Sequence, residues 1–233
     1  FDLEPADADE LYIGRHEGPF IRLGGSIDAD GVSQTSPSSQ NLIRTLADAD
    51  EIYGHRVFYF DIPALARHEG ADFEALSEGA WDTYVAQGLL EPRSAKGANV
   101  SYSLDAVAAR LGVPGKTDSI EALAAKHGGY DKIPVDDPEY ISYLEGDLSS
   151  NRAVYRVQRD RIRREGLEKY ALREMKVTPI KTRMTFNGFR IDEPLLAERV
   201  QIEEDKRQEA FHILASDYDV PLDKEVTRGR GKN

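Results

Sequence analysis

The first four residues, Phe1-Asp2-Leu3-Glu4, alternate apolar and acidic side chains, and that alternation constrains the fold more than any other stretch. On a strand, side chains at i and i+2 leave the same face, so Phe1 and Leu3 turn into a core while Asp2 and Glu4 stand side by side. Two ionised carboxylates this close repel each other unless a cation neutralises them. All-oxygen donors suit magnesium or manganese better than zinc. The pattern alone is cheap in an acidic chain, since Asp-x-Glu recurs from Asp72, Asp137 and Asp223. Its meaning depends on residues further along.

With 233 residues, 40% of them hydrophobic and 31% charged, the chain can bury one sizeable core and part of another. It contains no cysteine, which excludes disulfides, thiolate zinc sites and cysteine nucleophiles and is compatible with the reducing cytoplasm, the location expected here. No apolar run reaches the length of a membrane span and no signal peptide is visible, so no membrane association is expected. The chain starts inside a strand pattern and without methionine, which leads us to expect a fragment. Charge is uneven: residues 1–150 carry 27 acids against 11 Lys plus Arg, a net of −16, while 151–233 carry 15 against 19. The surplus lies between Arg152 and Arg183, where eleven basic residues face four acids. An acidic first part meets a polyanion through bound metals rather than unaided, and the basic stretch beside it can hold a phosphate backbone or simply form a solvated helix face.

Along the chain, Tyr12-Ile13 and Pro19 to Leu23 read as further strands of a meander, with Gly14, Gly18 and Gly24-Gly25 as turn points. Gly31 to Gln40, rich in Ser and Pro, reads as a surface loop. Asn41 to Leu46 has a short helical pattern, and Glu51 to Gly54 reads as a short buried strand. Asp61 then stands where a helix begins, with Pro63 tolerated in its first turn; an N-cap and a metal ligand are both open for it. His55 is open between packing and ligand contact. Trp81 is expected in the core. Leu104, Val107, Ala108 and Leu111 form a helix stripe ended by Gly112 and Pro114, and a second helix runs from about Ser119 to Lys126. From Pro138 a helix continues through Gly146 beyond Arg152. It places Tyr143 and Asp147 on one face, where two readings are open: a packed Tyr above a surface Asp, or a phenol that orients a water held by a metal-bound carboxylate.

Taken together, Asp2-Leu3-Glu4, Phe60-Asp61 and Tyr143-x-x-x-Asp147 resemble, in order and spacing, the 3′–5′ exonuclease superfamily with four acidic metal ligands, in its tyrosine-bearing branch; Ser142 stands where the other branch has histidine. Gly54-His55 to Leu65, Ser103-Leu104-Asp105 to Leu111-Gly112, and Gly115-Lys116-Thr117-Asp118 look like the proofreading domain of bacteriophage-type family A DNA polymerases. Thr178 to Asp192 resembles the segment that joins this domain to the polymerase region, and Pro194 to about Leu214 the first helix beyond it. The resemblance implies an α/β, ribonuclease H-like fold, with a mixed sheet flanked by helices over residues 1–165. A linker and the first helix of an absent polymerase region follow over 166–233.

The same resemblance implies two divalent metals, Mg2+ or Mn2+, held by Asp2, Glu4, Asp61 and Asp147. Asp2 bridges both, Tyr143 orients the attacking water, and Leu3, His55, Arg56 and Phe60 contact the substrate. The implied reaction releases 5′-mononucleotides from single-stranded or frayed DNA 3′ ends, with a polymerase domain in the same full-length chain as partner. Arg56 departs from the Asn common in the family, and Pro5 from a frequent Thr. The competing readings are an RNA 3′-end-trimming exonuclease and a catalytically silent platform beside a polymerase.

Overall fold

A computed structural model describes residues 1–6, 11, 19–92, 100–115 and 120–218. Tyr12-Ile13, Gly14, Gly18, Lys116 to Ser119 and the basic end from Arg228 lie outside the described residues. Two compact units are present, Phe1–Asn187 and Gly188–Asn233.

The first unit is mixed α/β and mostly helical. Strands β1 (Asp2–Pro5), β2 (Ile21–Ile27) and β3 (Ser33–Ser36) form an antiparallel sheet in that order. Asp2 lies opposite Gly25 and Glu4 opposite Leu23. Two short strands, β4 (Tyr53–Gly54) and β5 (Trp81–Asp82), pair in parallel. The Phe1 amino group donates to the Tyr53 carbonyl at 2.7 Å, and a Cβ on Gly54 would sit 2.8 Å from the Phe1 carbonyl oxygen. β4 therefore lies against the start of β1, which brings the two sheets edge to edge.

Two expectations are corrected here. Gly24 and Gly25 are not turn points but the middle of β2. A Cβ on Gly25 would come 2.8 Å from Leu148 and 3.1 Å from Leu144, and one on Gly24 2.8 Å from Leu42. These glycines mark close approach of neighbouring elements to the strand, the other use of glycine in sheets. The stretch 31–40 is not all loop: it contains β3 and the start of helix α1 (Ser39–Ala47). β3 reads Ser-Gln-Thr-Ser, an edge strand whose polar residues carry no apolar alternation to announce it.

The helices that follow are α2 (Asp61–Glu69), α3 (Phe73–Ser77), α4 (Thr83–Leu90), α5 (Leu104–Leu111), α6 (Ile120–His127), α7 (Pro138–Arg164) and α8 (Glu168–Asn187). α5 has the expected punctuation, with Ser103 accepting from the Ala106 amide and Gly112 left-handed at its end. At the head of α7, Asp137 accepts from the amides of Glu139 and Tyr140, and Pro138 fills the first position. α7 runs for 27 residues through Gly146 and buries Tyr140, Leu144, Leu148, Val154 and Ile162. Each such side chain contributes roughly 1.5–3 kcal/mol, more than the ~1 kcal/mol an internal glycine costs.

The boundary expected at 165/166 is a tight turn between α7 and α8, with Gly166 at φ 68°, and the compact unit continues to Asn187. The segment expected to join two domains is thus partly helix: Thr178, Pro179 and Thr182 are buried positions of α8. The second unit contains α9 (Glu193–Tyr218), which includes the helix expected from Pro194 to Leu214. The Asp192 carboxylate accepts from the Leu195 amide at 3.1 Å, and none of the α9 residues is buried. Among the described residues no helix is long and apolar enough to cross a membrane.

Candidate metal centre

β1 delivers its alternating side chains as expected. Phe1 and Leu3 are buried, and Asp2 and Glu4 are half-exposed on the opposite face. Because Gly25, opposite Asp2, has no side chain, Leu144 and Leu148 press α7 directly onto the sheet. Asp147, next to Leu148, thereby reaches the strand carboxylates. Carboxylate oxygens of Asp2, Glu4 and Asp147 all lie within 4.8 Å of one another and could hold a metal ion. Asp147 is itself buried.

Asp61 arrives from a third element. It is the first residue of α2, while Phe60 takes the N-cap position without a side-chain cap bond. Asp61 is therefore not the N-cap. Its side chain is buried, and Oδ1 has no hydrogen-bond partner among the described residues. Burial, then the charge of Asp2, push its carboxyl well above the ordinary range, while the Phe1 ammonium pulls the other way. A buried carboxylate oxygen without a donor costs about 1–3 kcal/mol, a penalty that a coordinated cation removes. Asp61 stands outside the three-carboxylate group and feels the charge of Asp2. The donor set is entirely hard oxygen, which fits Mg2+ or Mn2+.

Tyr143 lies one turn before Asp147 and lines a cleft of about 590 Å3 between α6 and α7, with Leu123, Lys126, Glu139 and Ser142. Leu3 is part of the core. Both ring nitrogens of His55 are engaged, Nδ1 with Thr83 Oγ1 and Nε2 with the Tyr102 carbonyl, each at 2.9 Å. A carbonyl only accepts, so Nε2 carries a hydrogen. Arg56 is left-handed at φ 65°, its guanidinium 5.4 Å from the Tyr84 ring centre. Phe60 is half-buried against the core.

Sequence reading missed several residues around these. Asp82 is fully buried and accepts backbone N–H bonds from Arg56, Phe58, Tyr84 and Val85. An acid directly before the Thr83 helix start signals a cap; its reach back to residues 56 and 58 has no sequence signature. Thr83 also donates within a buried group that includes the Gly54 carbonyl and Asn151. Tyr140 stands near Glu4: burial first, then the Glu4 charge, raise its hydroxyl far above the usual range, and Arg22 opposes this. The Arg22 guanidinium is 5.9 Å from the Tyr140 ring centre and donates to the carbonyls of Tyr130 and Ile133. Tyr140 lies seven residues before Asp147, two helical turns along the same face, and that spacing was the signal available.

No protein-family model matches the chain, and no curated protein matches it.

Proposed function

We propose that this chain is the 3′–5′ exonuclease domain of a family A DNA polymerase, with a ribonuclease H-like fold, hydrolysing DNA from its 3′ end into 5′-mononucleotides. The observation that carries the reading is the convergence of Asp2 and Glu4 on β1 with Asp147 on α7. Asp147 lies more than 140 positions beyond the β1 pair in the sequence. The antiparallel meander edge to edge with a parallel pair supports a mixed sheet of the ribonuclease H kind.

Two divalent ions, Mg2+ or Mn2+, would supply an acidified water and charge neutralisation at the scissile phosphate. The chain's own part is to bind and orient. Asp2, Glu4 and Asp147 provide one group of oxygens, and Asp61 provides a further carboxylate on the side of Asp2. Tyr143 offers a phenol one turn from Asp147 to hold the attacking water in line. With carboxylates arranged this way, the protein needs neither a covalent nucleophile nor a strong base of its own.

The test is degradation of 5′-labelled single-stranded DNA, with a matched RNA, in Mg2+ or Mn2+ and then in chelator. A metal-dependent ladder shortening from the 3′ end, reduced at least about 100-fold in Asp2→Ala and Asp61→Ala, is expected. A ladder on RNA alone would favour RNA trimming. A folded chain inert with both ions would favour a silent platform.

A further inference from the structure

The turn 55–60 delivers Asp61 to the site, and most of its own hydrogen bonds are internal. The amides of Tyr59 and Phe60 donate to the Arg56 carbonyl at 2.8 and 3.0 Å, and the Ile62 amide to the Val57 carbonyl at 3.0 Å. Three further backbone groups of the turn are the amides of Arg56 and Phe58 and the carbonyl of Phe58. All three are met by side chains from distant elements. Asp82 Oδ1 accepts from Arg56 N at 2.9 Å and Oδ2 from Phe58 N at 3.3 Å. Thr182 Oγ1, on α8, donates to the Phe58 carbonyl at 2.7 Å.

Neither side chain is confined to its default partner. A helical threonine ordinarily returns its hydroxyl to the carbonyl four residues back; for Thr182 that distance, to Thr178, is 3.4 Å, and the shorter bond goes to the turn. Asp82 caps α4 through the amides of Tyr84 and Val85 at 2.8 and 3.4 Å, yet it also reaches back to the turn. Phe58, Asp82 and Thr182 are all at most 3% exposed, so no water competes for these bonds. The Asp82 amide donates to Met175 Sδ at 3.3 Å, which ties the same strand to α8. With four backbone N–H groups on its carboxylate, Asp82 is not itself available as a ligand.

We infer that Asp82 and Thr182 are positioning residues, a two-sided clamp on Phe58 that fixes where Asp61 presents its carboxylate to a metal. The inference rests on the metal-site reading above. Ligand geometry is productive only within about 0.5 Å, and loss of outer partners that orient a ligand typically weakens metal affinity 10–100-fold.

The experiment uses the full chain and two variants, Thr182→Val and Asp82→Asn. Valine keeps the shape and removes the donor; asparagine keeps one acceptor oxygen and loses the other. Thr185→Val is the control, because that hydroxyl returns to Lys181 on its own helix at 3.2 Å. Calorimetric titration with Mn2+ is read beside kcat and KM on single-stranded DNA, with folding checked by circular dichroism. Both variants are expected to bind Mn2+ about tenfold or more weakly and to lose kcat similarly, with KM within about threefold of wild type; Thr185→Val is expected to match wild type. Folded Thr182→Val with Mn2+ affinity within twofold of wild type overturns the inference, and it decides alone if Asp82→Asn does not fold. A wild type that binds Mn2+ but leaves DNA intact overturns the exonuclease reading, while the Mn2+ titrations still judge the clamp.

Discussion

Asp61 and Asp82 stand 21 positions apart at the starts of two helices, both at most 2% exposed. Burial raises both carboxyls, Asp82 to about 6 and Asp61 well above the ordinary carboxylate range. Their surroundings differ. Asp82 accepts four backbone N–H bonds, whereas Asp61 has an oxygen without a hydrogen-bond partner among the described residues and faces the charge of Asp2. A buried acid saturated with donors holds the fold together. One left open beside another acid is what the proposed metal-site reading requires of a ligand. On that reading the contrast separates a structural carboxylate from a candidate ligand where burial alone does not.

The strongest way to break the contrast is to remove each carboxylate and measure urea unfolding without metal. Asp82→Ala orphans four amides and is expected to lower stability by about 3 kcal/mol. Asp61→Asn removes a buried charge that lies beside Asp2 with no donor on Oδ1 among the described residues, and is expected to leave stability unchanged or raise it by about 1 kcal/mol. Equal losses at both sites would erase the distinction.

A second comparison uses pH. Because folding raises both pKa values above the unfolded value of 3.8, the stability each acid contributes is fully present below about pH 4. It is lost as pH rises through the folded value. For Asp82 that window is about pH 4 to 6, and the difference between wild type and Asp82→Asn should change across it by on the order of 2 kcal/mol. Asp61 should respond likewise without metal and lose this pH dependence in Mn2+, which binds the ionised form. A wild-type-minus-variant difference flat from pH 4 to 6 would contradict the assignment for Asp82.

The smallest effect concerns Arg56, whose φ of 65° is strained for a long side chain and easier for asparagine. Arg56→Asn is expected to raise stability by about 0.5 kcal/mol, the strain relieved being partly offset by the lost contact with Tyr84. A loss of 1 kcal/mol or more would show that this contact dominates.

Much of the site was legible because its signals are local. Alternation along Phe1 to Glu4 fixed which side chains share a face, and the i,i+4 spacing put Tyr143 and Asp147 on one side of α7. Capping by Ser103 and the left-handed Gly112 bounded α5 as read. What stayed hidden depends on neighbours distant in sequence. Gly24-Gly25 announces a turn locally, and only the pressure of Leu42, Leu144 and Leu148 on β2 shows why glycine stands there. β3 has no apolar alternation because it is a polar edge. Thr178-Pro179 opens the stretch expected to join two domains, yet α8 carries both through while Thr182 reaches the Phe58 carbonyl. The second role of Asp82 follows from the turn at 56–58, which no spacing in the sequence predicts.

The most direct measurement is a calorimetric Mn2+ titration of the metal-free chain beside Asp147→Asn. Saturable binding by the wild type that is abolished or weakened at least about 100-fold in the variant is expected if carboxylates from β1 and α7 form one metal centre. Absence of binding, or binding unchanged in Asp147→Asn, would contradict it.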